Sequence, residues 1–169
     1  MSNLLRLVAC LFLCVSLNSF GDPFEFAPED GAEGDQFGFS VALKGYTALV
    51  GAPYHDVIHS NEGALYVIEK VNGDWTQKQK LTASDVEENK YFGKQITLSE
   101  DGNYALVDDG YVFKKGEDEN WFEQIKLDFS AGSSPTDRNT LIKDGFLIRG
   151  NNTQVDIYTL ENENWILST

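Results

Sequence analysis

The sequence predicts an all-β fold made of β-propeller-like blades of four antiparallel strands, about three blades that do not close as a full ring. Short runs rich in Val, Ile, Tyr, Phe and Thr alternate between apolar and polar residues with period two. Gly-containing turn signals separate these runs, and no window carries a sustained helical period. A Phe-Gly pair also recurs, at Phe37-Gly38 and Phe92-Gly93, which indicates an internal repeat.

The first 21 residues are expected to be a signal peptide rather than part of the fold. Arg6 is the only charged residue before Asp22, and the run 7–15 is almost wholly apolar. This run is shorter than the roughly 20 residues that a membrane span needs. We therefore predict a secreted, periplasmic or cell-surface protein, cleaved within residues 19–21, with no integral membrane span in the mature chain.

Both cysteines, Cys10 and Cys14, fall inside this segment. The mature chain is then expected to contain no disulfide, no thiolate metal site and no cysteine nucleophile. Residues 7–10 resemble the lipobox of bacterial lipoproteins, but the apolar run continues past Cys10. This continuation favours an ordinary signal residue over a lipid anchor at Cys10.

The charge of the chain excludes one class of partner. The sequence has 27 acidic and 13 basic residues and a net charge of −14, and the 1–21 segment holds one Arg and no acid. An acidic surface repels nucleic acid and anionic membranes and favours solubility. We therefore expect no nucleic-acid partner.

The repeat divides the chain after the signal peptide into four parts. These are a leading strand and acidic linker (22–35), repeat 1 (36–81), repeat 2 (82–127) and a degenerate repeat 3 (128–169). Tryptophans mark the same place in each repeat, and these are Trp75, Trp121 and Trp165. Arg138 and Asn139 stand where repeat 3 should carry Phe-Gly. Four short strands per repeat of this length are typical of a propeller blade.

Residues 34–127 resemble the FG-GAP repeats of the integrin α-chain propeller and of many bacterial secreted proteins. Repeat 1 has Phe37-Gly38 and the triplet Gly51, Ala52 and Pro53, whereas repeat 2 keeps Phe92-Gly93 but has Val107-Asp108-Asp109 in place of the triplet. We expect the glycines to allow close approach between blades and bends in the strands. The Phe and Trp residues are expected to fill the core.

The resemblance also implies a place to look for calcium, since calcium-binding members carry an Asp-rich loop between the Phe-Gly strand and the Gly-Ala-Pro strand. Here that place holds Lys44-Gly45 in repeat 1, the turn 99–103 in repeat 2 and the turn 143–145 in repeat 3. None of the three has oxygen ligands at the alternating positions that calcium needs. We therefore expect no cofactor and no metal, and Asp108-Asp109 is expected to form a hairpin turn.

The loop after Pro53 is the most distinctive insertion in the chain. Long loops on a rigid scaffold tend to carry binding residues, so the candidate contact residues are Tyr54, His55, Asp56 and His59. The two histidines are four residues apart, a spacing that could chelate zinc on a helix. In a loop, solvated histidines are the more common outcome.

The chain lacks the motifs of an enzyme: there is no Gly-x-Ser-x-Gly, no phosphate-binding glycine loop and no Cys–His pair. We expect a non-catalytic module that binds an extracellular protein or glycan. The alternatives are a fragment of a larger propeller protein, including a carbohydrate-active enzyme, and a remnant without activity. Asn151 opens a glycosylation sequon that matters only in a eukaryotic source.

Closure of the ring decides the expected assembly. A propeller needs at least about four blades, and the chain supplies two clear repeats, one eroded repeat and a leading segment. We therefore expect a fragment, an open stack with exposed ends, or half of a homo-oligomer, and stacking with further blades is the other arrangement that the sequence leaves open.

Overall fold

A computed structural model describes residues 25–108, 110–127, 139–150 and 155–168 of the protein, with the Asn139 side chain excepted. Within these residues the chain forms three four-stranded antiparallel sheets and no helix. The predicted all-β fold of incomplete propeller-like blades is thereby confirmed. Several sequence predictions concern residues outside the described ones: the signal peptide with Cys10 and Cys14, and Arg138, Asp109 and the Asn151 sequon.

Each sheet is a simple meander in which neighbouring strands along the chain pair with each other. Blade 1 contains β1 (Ser40–Lys44), β2 (Thr47–Ala52), β3 (Ala64–Val71) and β4 (Asp74–Leu81). Blade 2 contains β5 (Ile96–Leu98), β6 (Tyr104–Val107), β7 (Tyr111–Lys115) and β8 (Trp121–Lys126). Blade 3 contains β9 (Asn139–Lys143), β10 (Phe146–Gly150), β11 (Val155–Glu161) and β12 (Asn164–Leu167). The predicted limits of the repeats lie in the linkers between these sheets and stay predictions.

Two-residue turns close several of the hairpins. Asn72-Gly73 joins β3 to β4 with φ angles of 55° and 101°, and Asp144-Gly145 joins β9 to β10 with 52° and 78°. Positive φ at both central residues is the type I′ geometry, whose twist matches that of the paired strands. Asn, Asp and Gly tolerate this conformation best, which is why the sequence turns at these points.

The core between blades 1 and 2 contains alternate residues from the facing sides of two sheets. Leu49 and Leu65 come from blade 1, and Phe113 and Trp121 come from blade 2. Phe92, at the start of blade 2, lies in the same cluster and packs edge-on against Tyr111, with ring centroids 5.3 Å apart. Since Trp121 is 1% exposed, burial of its indole stabilises the junction by several kcal/mol, about 3–5 on truncation to Ala.

A second core joins blades 2 and 3 in the same manner. Leu106 and Val112 from blade 2 meet Leu147 and Trp165 from blade 3. The ring of Tyr104 packs edge-on against Trp165, with centroids 5.6 Å apart. Trp165 therefore occupies the junction between blades 2 and 3 as Trp121 occupies the junction between blades 1 and 2.

Trp75 and Phe37 differ from the expectation of a core position. Both are half-buried. Trp75 projects from the face of blade 1 that is opposite blade 2, where Lys70 lies 6.0 Å from its ring centre. Phe37 packs edge-on against Tyr66 at 5.3 Å and covers part of that same face. These positions are less buried because no further blade packs against this face within the described residues.

The Phe-Gly segment of blade 2 rests on the Gly-Ala-Pro segment of blade 1. A Cβ atom added to Gly51 would stand 2.0 Å from the carbonyl oxygen of Gly93. That same oxygen accepts a hydrogen bond from the Ser40 hydroxyl at 2.6 Å. Gly93 itself has a φ of 96°, a conformation that residues with a side chain rarely adopt. Glycine at both positions lets the two backbones touch.

Asp108 stands where repeat 2 replaces the alanine of the triplet. Its carboxylate accepts hydrogen bonds from the Gly93 amide at 2.6 Å and the Gln95 amide at 2.8 Å. Asp108 itself lies in a turn, as the sequence predicts, and its carboxylate fixes the Phe-Gly segment of its own blade. Burial raises the pKa of Asp108 to about 6, against the opposing effect of these amide hydrogen bonds.

A leading strand is predicted at the start of the 22–35 segment, but Glu25 and Phe26, the first residues there that the structure describes, lie outside any strand. The ring of Phe26 packs against Phe37 instead, with centroids 6.1 Å apart. Pro28 then turns the chain, because its carbonyl accepts a hydrogen bond from Gly31 at 3.2 Å. This turn directs the following residues onto the rim of blade 1 rather than along a strand edge.

Candidate functional site

The loop between β2 and β3 forms the candidate site, and we call residues 53–63 the rim loop. Its base is closed by backbone hydrogen bonds, from His55 to the carbonyl of Ala52 at 3.1 Å and from Gly63 to the carbonyl of His55 at 3.0 Å. The Tyr54 amide bonds the carbonyl of Asp35 at 3.2 Å, which ties the acidic linker to the loop. The rim loop therefore has an ordered base.

His55 lies beneath the loop, whereas the sequence predicts it as one of the contact residues. The residue is 5% exposed, and its Nδ1 lies 2.7 Å from an Asp35 carboxylate oxygen that also accepts the Ala32 amide at 2.8 Å. A side chain this buried holds the loop and the linker together and does not present its ring to a ligand. The buried position of His55 could not be predicted from the sequence, because its partner Asp35 lies 20 residues away along the chain.

A second set of polar groups continues from His55 to the rim of the sheet. Asp30 accepts hydrogen bonds from Lys80 at 2.5 Å and from the Tyr66 hydroxyl at 3.0 Å, and it lies 3.6 Å from the outer nitrogen of His55. The hydrogen bond from Lys80 lowers the pKa of Asp30, and burial together with Asp30 raises the pKa of Tyr66. The linker before blade 1 is thereby fixed to strands β3 and β4.

The same arrangement recurs in blade 2. Asp85 accepts hydrogen bonds from the Tyr111 hydroxyl and from Lys126, each at 2.5 Å, and a third from Lys90 at 3.1 Å. Burial acts to raise the pKa of Asp85, but these hydrogen bonds outweigh it and hold the pKa well below its usual range. Each of the two linkers is therefore locked to its blade by one Asp–Tyr–Lys set.

Sequence reasoning missed these sets although a signal for them exists. Asp30 and Asp85 are 55 residues apart, the same step that separates Phe37 from Phe92. Acidic residues are so common in this chain that neither one attracts notice on its own. Aligned linkers would have identified the pair as a shared structural position.

Inside the loop, Glu62 was also missed by the sequence reasoning. This residue is 1% exposed, and its two carboxylate oxygens accept the backbone amides of Ile58 at 2.8 Å and His59 at 3.0 Å. Asp56 accepts the amide of Asn61 at 2.6 Å. Two carboxylates thus bind the loop's own backbone and fix the conformation of its tip.

The tip of the loop is exposed and partly apolar. Ile58 is 76% exposed and Val57 is 42% exposed, and the neighbouring His59 is also exposed. Val57 and Ile58 thus place exposed apolar surface on a backbone fixed by hydrogen bonds, and burial of such surface in a protein interface is favourable. Among the predicted contact residues, Asp56 and His59 share this exposed surface, whereas His55 does not.

Tyr54 lies at the side of the loop rather than at its tip. It is half-buried and packs edge-on against Tyr91, with ring centroids 5.2 Å apart. Lys94 places its ammonium group 4.0 Å from the centre of the Tyr91 ring. A polar cavity of about 340 Å³ lies next to Tyr54, between the rim loop and the linker, and its lining includes Asp30, Asp35 and Asp56.

The two histidines do not form a metal pair, because His55 is enclosed by Asp35 and Lys80 while His59 faces solvent. The described residues contain no group of three or more His, Cys, Asp or Glu side chains that could hold a metal ion. In the turn 99–103, the Asp101 carboxylate accepts hydrogen bonds from Ser99 at 2.5 Å and from the Asn103 amide at 3.0 Å. The Asp101 carboxylate therefore stabilises the turn through hydrogen bonds to the turn's own residues. The absence of a cofactor stays a prediction.

Comparison with known proteins identifies a repeat family. A family model described as the FG-GAP repeat matches residues 25–68 and 75–113. The first match includes the Phe-Gly and Gly-Ala-Pro motifs of blade 1, and the second includes the Phe-Gly of blade 2. No curated protein matches the chain. Within the described residues there is also no helix of the length and apolar character needed to cross a membrane.

Proposed function

We propose, from the premise that this chain is an FG-GAP repeat protein, that it is a secreted, non-catalytic module that binds a protein partner through the rim loop. The observation that carries the proposal is the exposed tip of Val57 and Ile58 on a backbone fixed by Glu62. Binding by a loop that is already ordered avoids much of the entropy cost of ordering it in the complex. A buried aliphatic anchor then contributes to affinity.

The surface of the loop favours a protein over a glycan as partner. Sugars are commonly bound by stacking on exposed aromatic faces, but the Tyr91 ring is covered by Lys94 and meets the edge of Tyr54. The exposed groups at the tip are branched aliphatic side chains, which match an apolar pocket on a protein. The exposed Asp56 and His59 would lie at the polar rim of such an interface.

A non-catalytic role is supported by the environment of the hydrogen-bonded His55–Asp35 pair. Such a pair could serve as a general base if its outer nitrogen faced a substrate. Here the outer nitrogen lies 3.4 Å from the Lys80 ammonium and 3.6 Å from Asp30. Lys80 and Asp30 therefore separate the outer nitrogen of His55 from solvent, which favours a structural role for the His55–Asp35 pair in the rim loop.

A location outside the cytoplasm is supported by the composition of the N-terminal 21 residues, which lie outside the described part of the chain. The acidic surface supports solubility in such a compartment. An extracellular location would also expose the rim loop to protein partners on cell surfaces or in the medium.

The proposal is tested by affinity capture from the extracellular and cell-surface fractions of the producing organism. A Val57→Asp/Ile58→Asp variant should lose the captured partner, whereas Val71→Asp, an exposed position at the end of β3, should retain it. Equal capture by both variants would contradict the role of the loop. Binding to purified glycans that survives the loop substitutions would favour a glycan-binding function instead.

A further inference from the structure

The two junctions between blades follow one rule. Trp121 of blade 2 is buried in one cluster with Leu49 and Leu65 of blade 1, and Trp165 of blade 3 is buried in a second cluster with Val112 of blade 2. In each case the tryptophan of the fourth strand faces the preceding blade, which presents apolar residues of its third strand. This pattern predicts the kind of surface that would pack against each blade face that has no neighbouring blade among the described residues.

One such face lies on blade 1. Trp75 pairs with Lys70 across β3 and β4, just as Trp121 pairs with Lys115 across β7 and β8. Trp75 is nevertheless half-buried, and Val41, on the same side of the sheet, is 68% exposed. This face, which we call the Trp75 face, has the elements of a blade junction without a preceding blade among the described residues.

The other face lies on blade 3, opposite Trp165. Strand pairing places several exposed apolar residues on one side of this sheet, and these are Leu141, Phe146, Val155, Ile157 and Ile166. Val155 is 61% exposed. We call this the Val155 face. A patch of this kind on a soluble protein is typical of an interaction surface.

The repeat register matches the two faces to each other. Counted from the residue that pairs with the tryptophan, Val155 and Ile157 occupy the positions in β11 that Leu65 and Val67 occupy in β3. Leu65 and Val67 are the residues of β3 that lie in the junction cluster with Trp121. The Val155 face therefore has the composition that the junction rule requires opposite Trp75.

We propose that a second copy of this chain covers these faces, with the Val155 face of each copy packed on the Trp75 face of the other. Two copies related by a twofold axis would form two such junctions and close a ring of six blades, which is within the range of known propellers. No apolar end face would then remain exposed. The proposed dimer contacts do not involve the rim loop, so the test of the dimer is independent of the test of the proposed function.

Charge modulates this association. Each copy carries a net charge of −14, so the two copies repel each other at low ionic strength. The faces themselves are mainly apolar, with Lys70 beside Trp75 on one of them. Salt should therefore strengthen the dimer by screening the repulsion, whereas it would weaken a dimer held by ion pairs.

Sedimentation analysis of the full chain over a range of concentration and salt tests the proposal. The mass should be twice that of one chain, and Val155→Asp and Trp75→Ala should each halve it, with circular dichroism to verify folding. Ile58→Asp, in the rim loop, is the matched control and should remain dimeric. A monomer at all concentrations, a larger multiple, or a dimer that survives both substitutions would overturn the proposal.

Mixing the two variants gives a second readout. A Val155→Asp chain retains an intact Trp75 face, and a Trp75→Ala chain retains an intact Val155 face. The mixture should therefore recover a heterodimer that neither variant forms as a homodimer, because one native junction can be assembled. Failure of the mixture to associate, with both variants folded and the native chain dimeric, would show that the dimer uses other surfaces.

Discussion

The backbone of Gly51 in blade 1 lies against that of Gly93 in blade 2, so closely that a Cβ atom on Gly51 would stand 2.0 Å from the Gly93 oxygen, and one on Gly93 would stand 3.2 Å from the Gly51 Cα. This contact joins the Gly-Ala-Pro motif of one repeat to the Phe-Gly motif of the next. The motifs are thus complementary halves of one junction between blades. Their spacing in the sequence reflects how the blades stack.

Gly51→Val should destabilise the protein by roughly 2–4 kcal/mol, because the added Cβ would stand 2.0 Å from the Gly93 oxygen and 2.4 Å from the Ser40 hydroxyl. Urea unfolding measures the loss. Gly45→Ala is the control, since its Cβ meets no atom within 4 Å and only its φ of 59° adds a cost of about 1 kcal/mol. Equal losses in the two variants would contradict the contact.

The sequence predicted the blades well because strand alternation, turn residues and repeat spacing are local or periodic signals. It placed Gly51 in repeat 1 and Gly93 in repeat 2 but could not show that the two residues touch, because that contact joins two blades. The half-buried position of Trp75 was also missed. Three tryptophans in equivalent positions look alike in sequence, and only the number of neighbouring blades distinguishes Trp75 from Trp121.

Asp108 should make the protein more stable in mild acid relative to an Asp108→Asn variant. The pKa of Asp108 rises from 3.8 to about 6 on folding, so the folded state binds more protons than the unfolded state between these values. Stability contributed by this group is therefore present below about pH 4 and is lost as the pH rises through 6. The difference in unfolding free energy between the two proteins should shrink by up to about 3 kcal/mol from pH 4 to pH 7. A difference independent of pH would refute the assignment.

Asp85 should act in the opposite direction. Its pKa is lowered on folding by Lys126, Tyr111 and Lys90 against the effect of burial, so its stabilising contribution is present above its unfolded pKa of about 3.8 and is lost as the pH falls further. Asp85→Asn should cost on the order of 1–2 kcal/mol at pH 7. This cost should diminish in acid titrations below pH 4. A cost at pH 2 as large as the cost at pH 7 would show that shape, not charge, matters at this position.

The two histidines of the rim loop should separate clearly in thermal unfolding. His55→Ala removes a buried side chain and leaves Asp35 without its 2.7 Å partner, which should cost about 2 kcal/mol. His59→Ala changes an exposed side chain and should alter stability by less than about 0.5 kcal/mol. Equal melting temperatures for the two variants would contradict the anchoring role of His55.

The candidate site was only partly predictable for the same physical reason. The length of the loop identified its place, but the pattern of polar residues could not distinguish the buried His55 from the exposed His59. That distinction depends on Asp30 and Asp35, which approach from the linker. Ile58 received no attention because an apolar residue in a loop carries no motif, and its exposure is visible only in the folded chain.

Site-specific photo-crosslinking tests the central claim, binding through the rim loop, most directly. A photoreactive phenylalanine analogue at position 58 is compared with the same analogue at Phe122, an exposed position on β8, after incubation with the extracellular fraction. The account predicts a discrete crosslinked protein from position 58 and none from position 122. No crosslink at position 58, or the same crosslinks at both positions, would contradict it.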